Sequence, residues 1–271
     1  MGRLVYAGAT SHVGAIIKNP DAHPDRNDVL RSAWQTMAQD LAAADPDVVV
    51  VVATDHYETF GLEHYPIFCL GSAESYPAWG EYGNPGGTVL GSPSASDGLH
   101  HRLVAAGFDV ARAMEMPLDH SFMVPILRLG LEQRAVVPFF VNCNTPPLPP
   151  LGRCRDLGRG LRAAIEGLPG ETTVAVIATG GVSHWVGLPQ FGQVNAVWDR
   201  HFLDTLQRGD LEEVLTWSDE QILEEAGNGA LEIRTWVLAQ ACAGGPADLL
   251  GYAPMPDWAI GIGVVRMQVA A

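Results

Sequence analysis

Nine histidines are spread along this chain, and four of them follow apolar, strand-like runs at comparable offsets. Residues 3–7 run through Ala9-Thr10 to Ser11-His12, and Val48–Ala53 leads into Thr54-Asp55-His56. Residues 173–178 lead through Thr179-Gly180-Gly181-Val182 to Ser183-His184, and Asp119-His120 follows the segment 111–118. Ligands in open α/β sheets bind beyond the carboxyl ends of the strands, so these four imidazoles can converge on one sheet edge. Imidazole is a ligand for zinc, copper, iron and nickel; two imidazoles with one carboxylate leave open positions of the kind non-haem Fe(II) chemistry uses. The candidate carboxylate is Glu232 in Gly229-Ala230-Leu231-Glu232-Ile233-Arg234-Thr235-Trp236, a lone acid in an apolar first helical turn. An acid near a helix N-terminus also has a purely structural role, worth about 0.3–1 kcal/mol. Asp55 and Asp119 can likewise be helix-entry caps, accepting hydrogen bonds from free backbone N–H groups. His23, His64, His100, His101 and His201 fall in segments read as helix or connecting loop, and are read as solvated or structural.

The elements that must position these groups alternate between strand and helix. Val48–Ala53 is a run of five valines and an alanine whose lack of alternation implies burial on both faces, as in a sheet covered by helices. Before it, Leu30, Trp34, Met37 and Leu41 fall on one face of a helix that ends at Asp45-Pro46. A helix over 99–106 stops at Gly107 and precedes 108–111; 135–141 reads as a strand, 157–165 as a helix and 173–178 as a strand. The last third is helical over 196–206, from a capping box at Ser218-Asp219-Glu220-Gln221, and over 230–241, before a closing strand at 258–269. Proline-rich 144–150 and glycine-rich 72–91 read as ordered loops over the sheet edge. The expected architecture is α/β: a three-layer α/β/α sandwich, one domain over 1–271, with a central mixed or mostly parallel sheet.

Composition narrows the partners. The 271 residues are 47% hydrophobic, enough for a packed core, and the net charge of −15 repels nucleic-acid phosphates and anionic lipid. The first residues reach polar Thr10, Ser11 and His12 before a leader core forms, and no stretch approaches the roughly 18 apolar residues of a membrane span. Four cysteines lie far apart without a C-x-x-C pair. These features predict a cytoplasmic protein that meets neither nucleic acid nor membrane. Apolar helices of this kind are compatible with a homo-oligomer, and a small partner subunit is not excluded.

Five short segments, taken in order, carry a resemblance: Ser11-His12, Asp55-His56-Tyr57, Leu118-Asp119-His120-Ser121-Phe122, Thr179-Gly180-Gly181-Val182-Ser183-His184 and Leu231-Glu232-Ile233-Arg234-Thr235-Trp236. Joined by flanks such as Val137-Pro138-Phe139-Phe140-Val141-Asn142 and Pro256-Asp257-Trp258-Ala259-Ile260-Gly261, they resemble the class III extradiol ring-cleavage dioxygenases over nearly the whole chain. The resemblance implies that His12, His56 and Glu232 bind Fe(II), and that His184 and His120 flank the substrate as base and acid. It implies as substrates O2 and a catechol, here an aromatic carboxylate, with Asp55 and Asp119 orienting their neighbours or capping. Trp185 departs from the glutamine often found after the base, which predicts a larger, more apolar wall, and the stretch 185–195 is shorter than in the dihydroxyphenylpropionate enzymes. Two other readings use the same residues: a relative that binds without oxygenase activity, and a zinc-dependent hydrolase with His184 as base.

Overall fold

Valine after valine can be buried along a strand only if apolar layers cover both of its sides. The structure, a computed structural model, describes every residue except Asn84. The strands are β1 (Arg3–Thr10), β2 (Val48–Ala53), β3 (Phe68–Gly71), β4 (Ser75–Ala78), β5 (Gly87–Leu90), β6 (Ala111–Ala113), β7 (Val136–Val141), β8 (Thr173–Thr179), β9 (Gly244–Met255) and β10 (Ile260–Val269). Eight of them form one sheet in the order β6-β3-β7-β2-β8-β1-β10-β9, while β4 and β5 pair as a separate hairpin. The central four, β7, β2, β8 and β1, run parallel. Their flanking partners β3 and β10 are antiparallel to them. The sheet is thus mixed and mostly parallel at its centre, as expected.

The helices are α1 (Ala15–Lys18), α2 (Pro24–Ala44), α3 (Pro93–Ala105), α4 (His120–Arg128), α5 (Leu151–Glu166), α6 (Ala196–Arg208), α7 (Leu211–Val214), α8 (Asp219–Ala226) and α9 (Ile233–Ala243). Successive side chains of β2 enter opposite cores. Val48, Val50 and Val52 join Leu157 and Leu161 of α5 and Trp236 of α9, whereas Val49, Val51 and Ala53 join Trp34 and Met37 of α2 and Phe122 of α4. Each fully buried valine contributes about 1.5–3 kcal/mol relative to exposure, and two-sided burial is why β2 shows no alternation. In α2, Leu30, Trp34, Met37 and Leu41 are buried as their spacing predicts. Among the described residues no helix is long and apolar enough to cross a membrane, and all four cysteines are buried and free.

Four sequence expectations are corrected. The helix expected over 230–241 is a 3₁₀ turn over Gly229–Glu232 followed by α9. The closing strand starts at Ile260, because Pro256–Trp258 is a second such turn, and β9, which precedes it, was not anticipated. Its Gly244-Gly245-Pro246 start reads as a breaker, yet at the sheet edge such residues are tolerated. The stretch 72–91 holds the β4–β5 hairpin rather than loop alone, with Asn84 outside the described residues. The extended segment near 108–111 pairs only at Ala111–Ala113.

Candidate metal centre

Because β1, β2 and β8 are parallel, their carboxyl ends share one edge. His12 follows β1, His56 follows β2, and His184 follows β8, while His120 opens α4 and Glu232 closes the turn that enters α9. All five lie where the sheet edge meets the helical layers. Glu232 Oε2 is 3.8 Å from His12 Nε2, and its Oε1 is 3.5 Å from His56 Nε2. Two atoms that share an ion at about 2.1 Å can be at most about 4.2 Å apart, so each imidazole–carboxylate pair can share one. One ring nitrogen each from His12, His56 and His120 also lie within 4.8 Å of one another.

The far sides of the two rings fix which nitrogen is free. Thr179 Oγ1 donates to Ser121 O at 2.9 Å, so its proton is committed and it accepts from His12 Nδ1 at 2.5 Å. Asp119 Oδ2 accepts from His56 Nδ1 at 2.8 Å and from the His56 backbone N–H at 3.1 Å. Both Nδ1 atoms are therefore donors, and both Nε2 lone pairs face Glu232. A hydrogen bond at one ring nitrogen sets the tautomer and orientation of the other in this way. Asp119 also caps α4, its Oδ1 accepting from Ser121 N at 2.9 Å, so it performs both roles the sequence left open. Asp55 performs only one: it accepts from the backbone N–H of Glu58, Thr59 and Phe60, shaping the turn after His56.

His184 and His120 flank this group on different sides. The His184 ring sits between two glycines: a Cβ on Gly181 would lie 2.0 Å from its Cε1, and one on Gly229 would lie 2.0 Å from its Nε2. Gly181 N in turn donates to Glu232 Oε2 at 2.5 Å, which places His184 on the Glu232 side. His184 Nδ1 donates to Val182 O at 2.9 Å, leaving Nε2 as an acceptor. His120 stacks on His56 with ring centroids 4.2 Å apart, and its Nδ1 meets Glu81 Oε1 at 2.7 Å. Trp185 is buried and lies over Gly227, where a Cβ would be 2.8 Å from its ring.

The electrostatics favour a cation. Glu232 is 2% exposed. Burial pushes its carboxyl up, but the surrounding imidazoles, above all the hydrogen-bonded His56 because buried His12 is neutral, hold it well below the usual carboxylate range. Burial lowers His12 to about 3, so its ring is neutral and able to ligate. Loss of water also pulls His56 down, yet hydrogen bonds to Asp119 and Glu232 carry it well above its ordinary value. A field that favours a proton at His56 also favours a positive ion, and a buried carboxylate is costly without one. Neutral imidazoles with one carboxylate thus make a fitting donor set for a divalent transition metal.

Beside the His184 loop lies a further buried carboxyl, Asp199. Asp199 accepts from Ser183 N and Tyr252 OH, both at 2.7 Å. Burial nevertheless pushes it up to about 6, because those two bonds only partly offset the lost water. The folded chain then holds a proton that the unfolded chain releases near pH 4, so this group's contribution to stability falls as pH rises from about 4 to about 6. Across that window the urea-unfolding free energy of the wild type is expected to drop by roughly 3 kcal/mol relative to Asp199→Asn. Parallel curves for the two proteins would show that Asp199 is not a protonated buried acid.

Sequence reasoning did not find Thr179 or Glu81 as partners of the histidines, nor Ser121 as the acceptor behind Thr179. Thr179 and Ser121 stood inside quoted segments, yet a hydroxyl carries no periodic signal. Glu81 reaches His120 across 39 positions of chain, which no local pattern encodes.

Comparison with known proteins gives the family. Residues 6–263 match the family described as the catalytic LigB subunit of aromatic ring-opening dioxygenase. A curated relative named 2,3-dihydroxyphenylpropionate/2,3-dihydroxicinnamic acid 1,2-dioxygenase, from Rhodococcus jostii (strain RHA1), is 28% identical over 303 aligned residues, covering 94% of this chain and 95% of its own. Another of the same name, from Mycolicibacterium vanbaalenii, is 31% identical over 259 residues, covering 79% and 81%. In fold alone, the crystal structure of an uncharacterized protein from Escherichia coli K12 is similar, with a TM-score of 0.56 at 17% identity, covering 96% of this chain and 99% of that one.

Proposed function

The chain belongs to the family of the catalytic LigB subunit of aromatic ring-opening dioxygenases, and from that premise we propose that it opens a catechol by extradiol cleavage at Fe(II) held by His12, His56 and Glu232. The observation that carries this reading is the convergence of two Nε2 lone pairs on one buried carboxylate, with both Nδ1 atoms tied off behind. Bound there, Fe(II) would supply a Lewis-acidic, redox-active centre with positions left for the diol and O2. The chain's own residues handle protons. His184, whose Nδ1 donates to a neutral carbonyl, takes a hydroxyl proton of the catechol at Nε2. His120, whose Nδ1 meets the Glu81 carboxylate, has its Nε2 side left to hand a proton to oxygen on the other side of the substrate. One O2 is consumed, the ring carbon–carbon bond beside the diol breaks, and both oxygen atoms end in the ring-opened semialdehyde.

The relatives' names support a catechol that bears an acidic side chain. Anaerobic loading with Fe(II), followed by air and a panel of neutral and carboxylated catechols, is expected to give O2 uptake and a yellow ring-opened product. Iron-loaded protein that takes up no O2 with any catechol would overturn this function. Zinc-loaded protein serves as the comparison, because a hydrolase on the same ligands would not need O2.

A further inference from the structure

His120 stands closer to the proposed ligands than a proton donor needs to. Its ring stacks on His56, and one of its nitrogens lies within 4.8 Å of nitrogens of both His12 and His56. By distance alone it competes for the ion. What separates it from the other two rings is its restraint. A single oxygen, Glu81 Oε1, accepts from the His120 backbone N–H at 2.6 Å and from its Nδ1 at 2.7 Å. Two bonds from one residue to one oxygen fix the side chain relative to its own helix start, so the ring cannot turn freely about its side-chain torsions. Glu81 belongs to a turn between β4 and β5, and Tyr82 in that turn has a left-handed backbone at φ 52°. The Tyr82 ring stands edge-on to His120 at 5.3 Å and fills the space over Gly14, where a Cβ would meet it at 2.2 Å. One short turn therefore touches both the His12 loop and His120.

We propose that Glu81 is a positioning residue: by holding His120 at Nδ1 and at its backbone, it keeps Nε2 free for proton transfer instead of letting the ring become a further metal ligand. The inference rests on the metal assignment made above and concerns a residue outside that ligand set. Glu81, Asp119 and His120 also bring ligand atoms within 4.8 Å of one another, and a Co(II) change in Glu81→Ala that persists without His120 would mark Glu81 as a ligand instead. Glu81 belongs to neither apolar core, so its loss leaves both intact.

Co(II) alone is the probe, with the visible spectrum and bound-metal content read on the full chain, wild type and variants. Glu81→Ala is expected to keep its metal but change the Co(II) spectrum, and the double variant Glu81→Ala/His120→Ala to return it to the wild-type form. Glu81→Gln, whose amide oxygen still accepts both bonds, should keep the wild-type spectrum. With Fe(II) and a catechol, kcat of Glu81→Ala should fall about 10–100-fold, the usual cost of losing a ligand-orienting partner, with KM little changed. A Glu81→Ala spectrum identical to the wild type, or a change that persists without His120, would overturn the proposal while leaving the metal assignment in place. If wild-type Co(II) binding does not depend on His12, the metal assignment itself falls, and this inference with it.

Discussion

Glu232→Ala is expected to leave a folded protein that no longer retains iron through gel filtration, and His12→Ala to do the same. Losing a residue that merely orients a metal ligand costs about 10–100-fold in affinity, so losing a ligand itself should cost at least about 100-fold. The carboxylate is the more telling of the two. It contributes the negative charge that lies within 3.8 Å of both free imidazole nitrogens, and its neighbours already hold it ionised. Removing it leaves two neutral rings facing one another, a donor pair with no charge to offset a divalent ion. Metal content measured on purified, iron-loaded proteins checks this. Unchanged stoichiometry in both variants would show that the ion, if bound, sits elsewhere.

His184→Ala should separate binding from chemistry. The ring contributes no hydrogen bond to His12, His56 or Glu232, so iron content is expected to match the wild type while kcat falls about 10²–10⁴-fold, the range of a positioned acid or base. Gly229→Ala offers an independent route to the same result. Its new methyl would lie 2.0 Å from His184 Nε2, far inside contact distance, so the ring must move away from its place beside Glu232. Single-turnover O2 consumption on metal-loaded protein measures both. A Gly229→Ala protein with full turnover would mean that the His184 position seen here is not the working one.

Much of what composes the proposed site is legible in the sequence. The valine run of β2 announced a strand buried on both faces, and a parallel arrangement then brought His12, His56 and His184 to one edge. Glu232 stood out as an acid in an otherwise apolar turn, and it proves almost fully buried. What stayed hidden depends on contacts between distant segments. Asp119 could be read as a cap but not as the partner of His56, since 63 positions separate them. The β4–β5 hairpin was invisible because Pro77, Gly86 and Gly87 disguise short strands as loop, and with it went the link from Glu81 to His120. The edge strand β9 was missed for a similar reason: glycine and proline are poor strand signals, yet a rim position asks little of them.

The groups of the proposed centre lie far apart in sequence: Glu232 follows His12 by 220 positions (232 − 12) and His56 by 176 (232 − 56). During synthesis on the ribosome the two imidazoles emerge long before the acid that completes the cage. On the proposed assignment, iron capture is then a late event that waits for Glu232, and a chain stopped before that residue offers only a bare imidazole pair. Iron retention would thus report that synthesis had passed Glu232 and that the chain had folded around it.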